Sequence, residues 1–458
     1  MTERAWDLVV IGTGGAAMAA GIEARSRGKD VVLVEHHVLG GTCLNVGCVP
    51  SKNLLAAAGQ RHRAAAGTAF PMVPTTAGGV DLPALMAQKQ ELVDRLRQAK
   101  YADVADAHGF PIRYGHARFV DDKTLEVDGE PLTAPAYVVA TGVAPHIPDL
   151  PGIDRVDYLT STTAMELTEL PASMVVLGGG YVGLEQAQLW THLGVAVTVV
   201  GRFAPHAEPE IADVLRGVFV DDGINLVPER AVSVDAHRGG VVVRTSSGVQ
   251  VTGERLLAAT GRFADTGDLG LEAAGVHTDE RGFLVVDSNQ RTSNPRVFAA
   301  GDVSGAPQYV YVAAQTGRVA AAGALGDPAI VDYTGLPGVT FTTPQIASAG
   351  MTEEQATAAG HDCDCRVLDA RDIPRALANR DTRGAVKLVI DADTRKVLGV
   401  HAALDGAGDM MLAATYAIKF GLTVDDLADT WAPYLTMSEA LRMAAGLFRS
   451  DMPTSCCA

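Results

Sequence analysis

One short pattern occurs twice in this chain. Trp6-Asp7-Leu8-Val9-Val10-Ile11 runs into Gly12-Thr13-Gly14-Gly15-Ala16-Ala17, and Val175-Val176-Leu177 runs into Gly178-Gly179-Gly180-Tyr181-Val182-Gly183. Each apolar, β-rich segment breaks at a glycine loop and opens a helical stretch. A second apolar segment follows each: Val31-Val32-Leu33-Val34, ending in Glu35, and Val195-Ala196-Val197-Thr198-Val199-Val200, ending in Gly201-Arg202. Strand, glycine loop, helix and strand in this order bring helix N-terminal N–H groups up to a pyrophosphate. Gly12, Gly14, Gly15 and Ala16 take that position in the first unit, and Gly178, Gly180 and Gly183 in the second. An acid closing the next strand bonds an adenosine ribose, which assigns Glu35. At the second site Arg202 would attract a 2′-phosphate that a carboxylate would repel, so NADPH is expected there, with His206 the nearest further candidate. The predicted fold class is therefore α/β with two Rossmann-like nucleotide-binding domains.

Two further segments end in Thr-Gly, at Val138-Val139-Ala140-Thr141-Gly142 and Leu256-Leu257-Ala258-Ala259-Thr260-Gly261. They bracket the second glycine loop, where one unit would hand over to the other. Val297-Phe298-Ala299-Ala300-Gly301-Asp302 places Asp302 to reach a ribityl or pyrophosphate group, and Val310 is assigned to the same cofactor. The second unit is then inserted into the first. Residues 1–145 begin the first nucleotide domain, 146–261 form the second, and 262–333 return to the first. Residues 334–458 form a last domain, entered near Gly335-Leu336-Pro337-Gly338. There Ala385–Ile390 reads as a strand and Asp409–Phe420 as a helix, an α+β mixture.

A chain of 458 residues exceeds one ordinary core. Its net charge of −17 leaves no basic stripe to displace counterions from phosphate, so no nucleic-acid partner is expected. No apolar run reaches membrane-spanning length and no basic-then-apolar leader precedes the first strand, so no membrane association is expected. Six cysteines are too few for a secreted disulfide framework. The expected compartment is the cytoplasm.

Four of those cysteines form two pairs suited to chemistry. The first lies in Gly40-Gly41-Thr42-Cys43-Leu44-Asn45-Val46-Gly47-Cys48-Val49-Pro50-Ser51-Lys52. Residues five apart in a regular helix rise about 7.5 Å, whereas a disulfide wants Cα atoms about 4.4–6.8 Å apart. Gly47 and Pro50 supply the needed irregularity. Gly40 and Gly41 read as a tight loop feeding a helix N-terminus, whose dipole favours a thiolate. Two buried cysteines in an ordinary helix would fit the same letters, but Cys-x4-Cys before Pro-Ser-Lys favours a redox pair. The second pair, Cys456-Cys457, follows the polar Pro453-Thr454-Ser455 and is expected to swing. Adjacent cysteines are poorly placed to bond each other, so they remain a dithiol hook for a soft metal ion. Electrons at one dithiol and a metal at the other predict reduction of a thiol-bound soft metal ion. Cys363 and Cys365, on a surface loop or on one face of an alternating strand, are expected to be structural.

Together the doubled nucleotide pattern and the Cys43–Cys48 segment resemble the pyridine nucleotide–disulfide oxidoreductases over nearly the whole chain. Within that family the Cys456-Cys457 tail, Pro374-Arg375-Ala376-Leu377-Ala378-Asn379 and Trp431-Ala432-Pro433-Tyr434-Leu435-Thr436-Met437-Ser438-Glu439 are similar to the branch that reduces mercuric ion. Disulfide-reducing relatives carry a His-Pro-Thr-x-x-Glu type segment whose histidine shuttles protons. Here Tyr434 holds the histidine's place and Leu435 the proline's, while Glu439 remains. A phenol with pKa near about 10 is a poor proton shuttle at neutral pH.

The resemblance implies FAD at the first site and NADPH at the second, with Gly41, Thr42, Thr141, Gly142 and Gly261 joining the cofactor contacts. It implies that Lys52 lies near the flavin and pairs with Glu185, favouring reduced flavin. Cys48 would lie against the flavin and Cys43 would be the outer, exchanging thiol, with Tyr101 and Tyr434 near the metal. Hg(II) bound to small thiols would exchange onto Cys456 and Cys457 and pass to Cys43 and Cys48. A homodimer is implied, the C-terminal domain of one subunit completing the other's active site. Many mercury-reducing relatives carry an N-terminal metal-binding domain; this chain starts at the flavin loop, which leaves delivery to the tail. Two alternatives remain: a reductase of a low-molecular-weight disulfide, disfavoured by Tyr434, and a flavin-binding protein that sequesters metal, disfavoured by Cys43 and Cys48.

Overall fold

Leu8–Ile11 is buried on both faces, as its unbroken apolar run requires. In the computed structural model, which describes residues 6–65 and 69–449, this strand is the middle of five parallel strands. Their order is Val297–Ala299, Ala136–Val139, Leu8–Ile11, Val31–Glu35 and Ile112–Tyr114. A second parallel sheet has the order Asn225–Val227, Ala196–Phe203, Ser173–Gly179, Arg255–Ala258 and Tyr158–Thr160. The chain leaves the first sheet through Val143–Pro145 and returns through Arg262–Ala264, and these two strands pair antiparallel. Entry to and exit from the second unit therefore run side by side.

The two glycine loops repeat in space as they do in sequence. Gly12 has φ +112° and Gly178 φ +108°, conformations that favour glycine. A Cβ on Gly12 would stand 2.5 Å from the carbonyl oxygen of Ala140, and one on Gly178 2.4 Å from that of Ala259. The helices that follow, Gly15–Ser26 and Tyr181–Leu193, start directly over the strand ends.

Residues from Pro337 onward build an antiparallel sheet in the order Pro337–Thr340, Gln345–Gly350, Val397–Leu404, Ala385–Asp391 and Cys363–Asp369. Helix Ala407–Lys419 covers it through Met410, Met411, Ala414 and Ala417. Two polar clusters fix this layer to the second nucleotide unit. Buried Lys387 donates to Glu208 at 3.0 Å, Glu210 at 3.0 Å and Glu353 at 2.7 Å. Elsewhere Asp222 faces His192 at 3.0 Å and His62 at 3.4 Å, while Gln188 bridges Asp222 and the backbone of Thr343. The two imidazoles stack face to face, 3.8 Å apart and 17° from parallel. Rings so disposed do not aim both nitrogens at one point, so this cluster is a hydrogen-bonded clasp across domains.

Two local expectations shift. The strand after the second glycine loop runs Ala196–Phe203, so Arg202 lies within it, after a register irregularity opposite Leu177 and Gly179. The covering helix is Ala407–Lys419 rather than 409–420. Of the two settings left open for Cys363 and Cys365, loop or alternating strand, the structure has the strand, the edge strand Cys363–Asp369. No helix among the described residues is long and apolar enough to cross a membrane.

Candidate active site

A cleft of about 580 Å³ opens where the first glycine loop, the Cys43–Cys48 segment and the returning strand meet. It is lined by Gly12, Gly14, Gly15, Ala16, Glu35, Gly41, Thr42, Thr141, Gly142, Asp302 and Val310, together with both cysteines. At one end buried Glu35 accepts from the Thr13 hydroxyl through one carboxylate oxygen and from the His37 N–H at 2.7 Å through the other. This holds the carboxylate at the strand end. The buried hydroxyl of Thr141 finds no partner among the described residues. Asp302 lies 3.6 Å from Arg262; burial raises its pKa and the arginine partly offsets that. A glycine floor, a fixed acid and an unsatisfied hydroxyl suit a dinucleotide that brings its own polar groups, and the volume is of the usual order for a ligand site.

At the other end the redox segment folds as a broken helix. Cys43 lies in the turn Gly41–Asn45, and Cys48 is the first residue of the helix Cys48–Ala65, with Gly47 between. Both cysteines are free thiols here. The Cys43 thiol donates to Cys48, which pulls Cys48 down to about 6, helped by the charges of Lys52 and Arg262 against the opposing effect of burial. The same hydrogen bond, with burial, pushes Cys43 up. The pair thus shares one proton, and Cys48 is the thiolate at neutral pH.

Lys52 is one helical turn beyond Cys48, and its Nζ donates to Glu185 at 2.6 Å. Tyr101 sits in a π-helical turn, Gln98–Ala102, at the end of helix Leu82–Arg97. Burial pushes its phenol up to about 12, with the cysteine pair adding to the rise, so the ring is within electrostatic reach of both thiols. Sequence reasoning passed over the residue that anchors this turn. Arg97 donates to Asn45 Oδ1 at 2.9 and 2.8 Å, and the Asn45 amide donates to the carbonyls of Leu39 and Gly41. The spacing of Arg97 and Tyr101, four apart on a helix, was a usable signal. Arg262, just after Gly261, was also missed.

The second nucleotide loop lies apart from the cleft. Gly178, Gly180 and Gly183 surround the start of helix Tyr181–Leu193, and Glu185 lies one turn in. Tyr181 interacts through its hydroxyl with Tyr309, which lines the first cleft, so the two sites adjoin. Arg202 is exposed and donates to the Pro205 carbonyl at 2.8 Å, while the His206 ring turns to Tyr181, 5.8 Å away. Gly261 has φ +128° at the end of the crossover. Tyr434 is half-exposed and far along the chain, next to Leu435 at φ +63°. Buried Glu439 accepts from Arg442 at 3.0 Å. Cys456 and Cys457 lie outside the described residues.

Two adjoining nucleotide sites and a proton-sharing dithiol at the mouth of one of them define a pyridine-nucleotide-driven dithiol oxidoreductase. Residues 6–317 match the pyridine nucleotide-disulphide oxidoreductase family, and residues 336–445 match its dimerisation domain. The chain belongs to this family, whose cofactors are FAD and NADPH, and its dimerisation domain marks it as a homodimer. It is 51% identical over 466 residues to a mercuric reductase of Streptomyces lividans, covering 99% of this chain and 98% of that protein. A mercuric reductase of Staphylococcus aureus is 42% identical over 463 residues, covering 99% and 84%. Among solved structures, the HOCl-induced flavoprotein disulfide reductase RclA of Escherichia coli aligns with a TM-score of 0.86 at 30% identity, covering 96% of this chain and all of that one.

Proposed function

We propose that this protein reduces Hg(II), presented as a complex with small thiols, to Hg(0) with electrons from NADPH. The observation that carries the reading is the Cys43–Cys48 pair, one thiolate and one thiol on the FAD cleft, in a chain similar over its length to mercuric reductases. Bound FAD supplies the two-electron path from NADPH to this pair. The glycine loops and Glu35 hold that cofactor, with Thr141 and Asp302 contributing polar contacts.

Cys43 and Cys48 act on the metal by ligand exchange. Each cysteine sulfur replaces one small-thiol ligand, and the pair becomes a two-coordinate mercury site. Two electrons then convert Hg(II) to Hg(0), both sulfurs are released as thiolates, and Cys43 takes back one proton from solvent. The atom leaves without a proton, so Tyr434 in a shuttle position is no handicap. Lys52 and Arg262 help hold Cys48 anionic, and Tyr101 stands within electrostatic reach of the pair. Arg202 reads the 2′-phosphate of NADPH. Cys456 and Cys457 strip incoming ligands and deliver the ion across the dimer, to the partner's cleft. Dithiols that must stay reduced favour the cytoplasm.

Anaerobic NADPH oxidation with Hg(II) and excess thiol, run beside lipoamide and glutathione disulfide, tests the reaction. Mercury-dependent oxidation with release of Hg(0) is expected; oxidation driven only by a disulfide would replace this reading with that of a disulfide reductase. A mixed dimer tests delivery. One subunit carries Cys43→Ala and the other carries Cys456→Ala and Cys457→Ala. Delivery across the interface leaves about half the activity, because the intact cleft faces the intact tail. A dead mixed dimer would mean that each tail serves its own subunit.

A further inference from the structure

Cys363 and Cys365 lie outside the cleft, on the edge strand of the antiparallel sheet. Side chains two apart on a strand share a face. Both are half-buried free thiols that pack, together with Met351, against Ala356, Val389 and Leu398. Three sulfur side chains therefore pack on one small apolar cluster at an open sheet edge. We propose that Cys363 and Cys365 form a second, non-catalytic soft-metal site, which holds one thiophilic divalent ion such as Hg(II) between two sulfurs with the Met351 thioether alongside.

The strand geometry separates this role from a disulfide. Two residues of strand advance the Cα by about 6.4–6.8 Å, the upper edge of what a disulfide spans. The two Cβ vectors also run parallel rather than toward each other. An ion placed between the sulfurs bridges a wider gap than a sulfur–sulfur bond does. Thiolate and thioether ligands select soft ions over the hard cations that carboxylates bind. On binding, each cysteine sulfur forms a bond to mercury, each small-thiol ligand loses one, and the two cysteine protons leave on the two released thiols. No electrons move. The site can therefore fill without NADPH, and its test is independent of turnover.

Oxidised holoenzyme without NADPH is mixed with the bis-cysteine complex of Hg(II), passed through gel filtration, and its retained mercury counted. The Cys363→Ala, Cys365→Ala variant is expected to retain one ion per subunit fewer than the wild type. Either single variant should lose that same whole ion, because one thiolate alone releases it to competing cysteine. The Cys363→Val, Cys365→Val variant, which keeps the pocket filled, should behave as the alanine variant, and all should keep wild-type NADPH turnover. Equal retention by wild type and both double variants would overturn the proposal. So would single variants that each lose half of what the double variant loses, since the two thiols would then bind separately.

Discussion

Lys52 Nζ donates to Glu185 Oε2 at 2.6 Å, and so ties the helix that begins at Cys48 to the helix that begins at the second glycine loop. The other oxygen of Glu185 accepts the Phe341 N–H at 2.9 Å, and Lys52 also lies 4.7 Å from the centre of the Phe341 ring. One carboxylate thus joins the dithiol helix, the second nucleotide unit and the C-terminal sheet. Its lysine reaches the thiolate through space: Lys52 is among the groups that lower Cys48, after the hydrogen bond from Cys43.

Removing that charge should raise the Cys48 pKa. A cation favours the thiolate, so Lys52→Met moves the titration upward from about 6. Cys43→Ala, which deletes the larger contribution, should move it further. The pH dependence of thiolate ultraviolet absorbance in the reduced enzyme reads both shifts. A Lys52→Met titration that overlays the wild type would show that the lysine serves only as a strut.

Acid should weaken the clasp between domains. Burial alone would raise Asp222, but hydrogen bonds from His192, His62 and Gln188 outweigh it and hold the carboxyl below its usual range. That stability is present above the unfolded value of about 3.9 and fades as pH falls through the folded one. Burial holds His192 below its ordinary value, against the pull of Asp222, so its contribution fades as pH falls below about 6.5. Both effects have one sign but separate windows: the thermal midpoint should fall below about pH 6.5 as His192 charges, and fall again below about pH 3.9 as Asp222 protonates. Asp222→Asn should cost about 1–3 kcal/mol at pH 7 and remove the second fall. Calorimetry across both windows decides; a fall below about pH 3.9 that persists in Asp222→Asn places that acid sensitivity elsewhere.

The nicotinamide cofactor should be chosen by Arg202. Its guanidinium is exposed near the strand end, where it donates to the Pro205 carbonyl at 2.8 Å. A charge-assisted contact to a 2′-phosphate is worth about 1.5–3 kcal/mol, so Arg202→Glu should weaken NADPH binding by about tenfold to a hundredfold and favour NADH. Equal use of both cofactors by the wild type would assign Arg202 to surface charge.

Disulfide substrates should turn over slowly. On the proposed assignment Tyr434 stands where disulfide reductases place a histidine, and a departing thiol then lacks a proton donor matched to neutral pH. General acid–base assistance contributes about 10²–10⁴-fold, and glutathione disulfide should lag Hg(II) by that order. Steady-state rates on the two substrates make the comparison, and rapid disulfide turnover would contradict it.

Much of the architecture was legible because it is written locally. Glycine loops, apolar strand runs and the Cys-x4-Cys spacing each depend on a few consecutive residues whose backbone conformations they dictate, so the two nucleotide units could be read directly. Glu35 was found the same way, at the end of a strand that had to end there. The strand carrying Arg202 was read too short, because after a register irregularity it continues past Gly201 to Phe203. Cys363 and Cys365 fitted a loop as well as a strand until pairing with Ala385–Asp391 fixed them.

What the sequence by itself determined was the order of elements and the types of reactive group. Tertiary structure alone decided which groups meet. Asn45 and Arg97 lie 52 residues apart, and Lys52 and Glu185 lie 133 apart; the second pair was expected only from family resemblance, and the first not at all. Asp222 draws its histidines from helices of two different domains. Such contacts carry no periodic or spacing signal, because they arise where separately formed helices and sheets pack. A thiolate near pH 6 is a property of that packing: the cysteines come from the motif, but the hydrogen bond and the charges of Lys52 and Arg262 are brought to them by the fold.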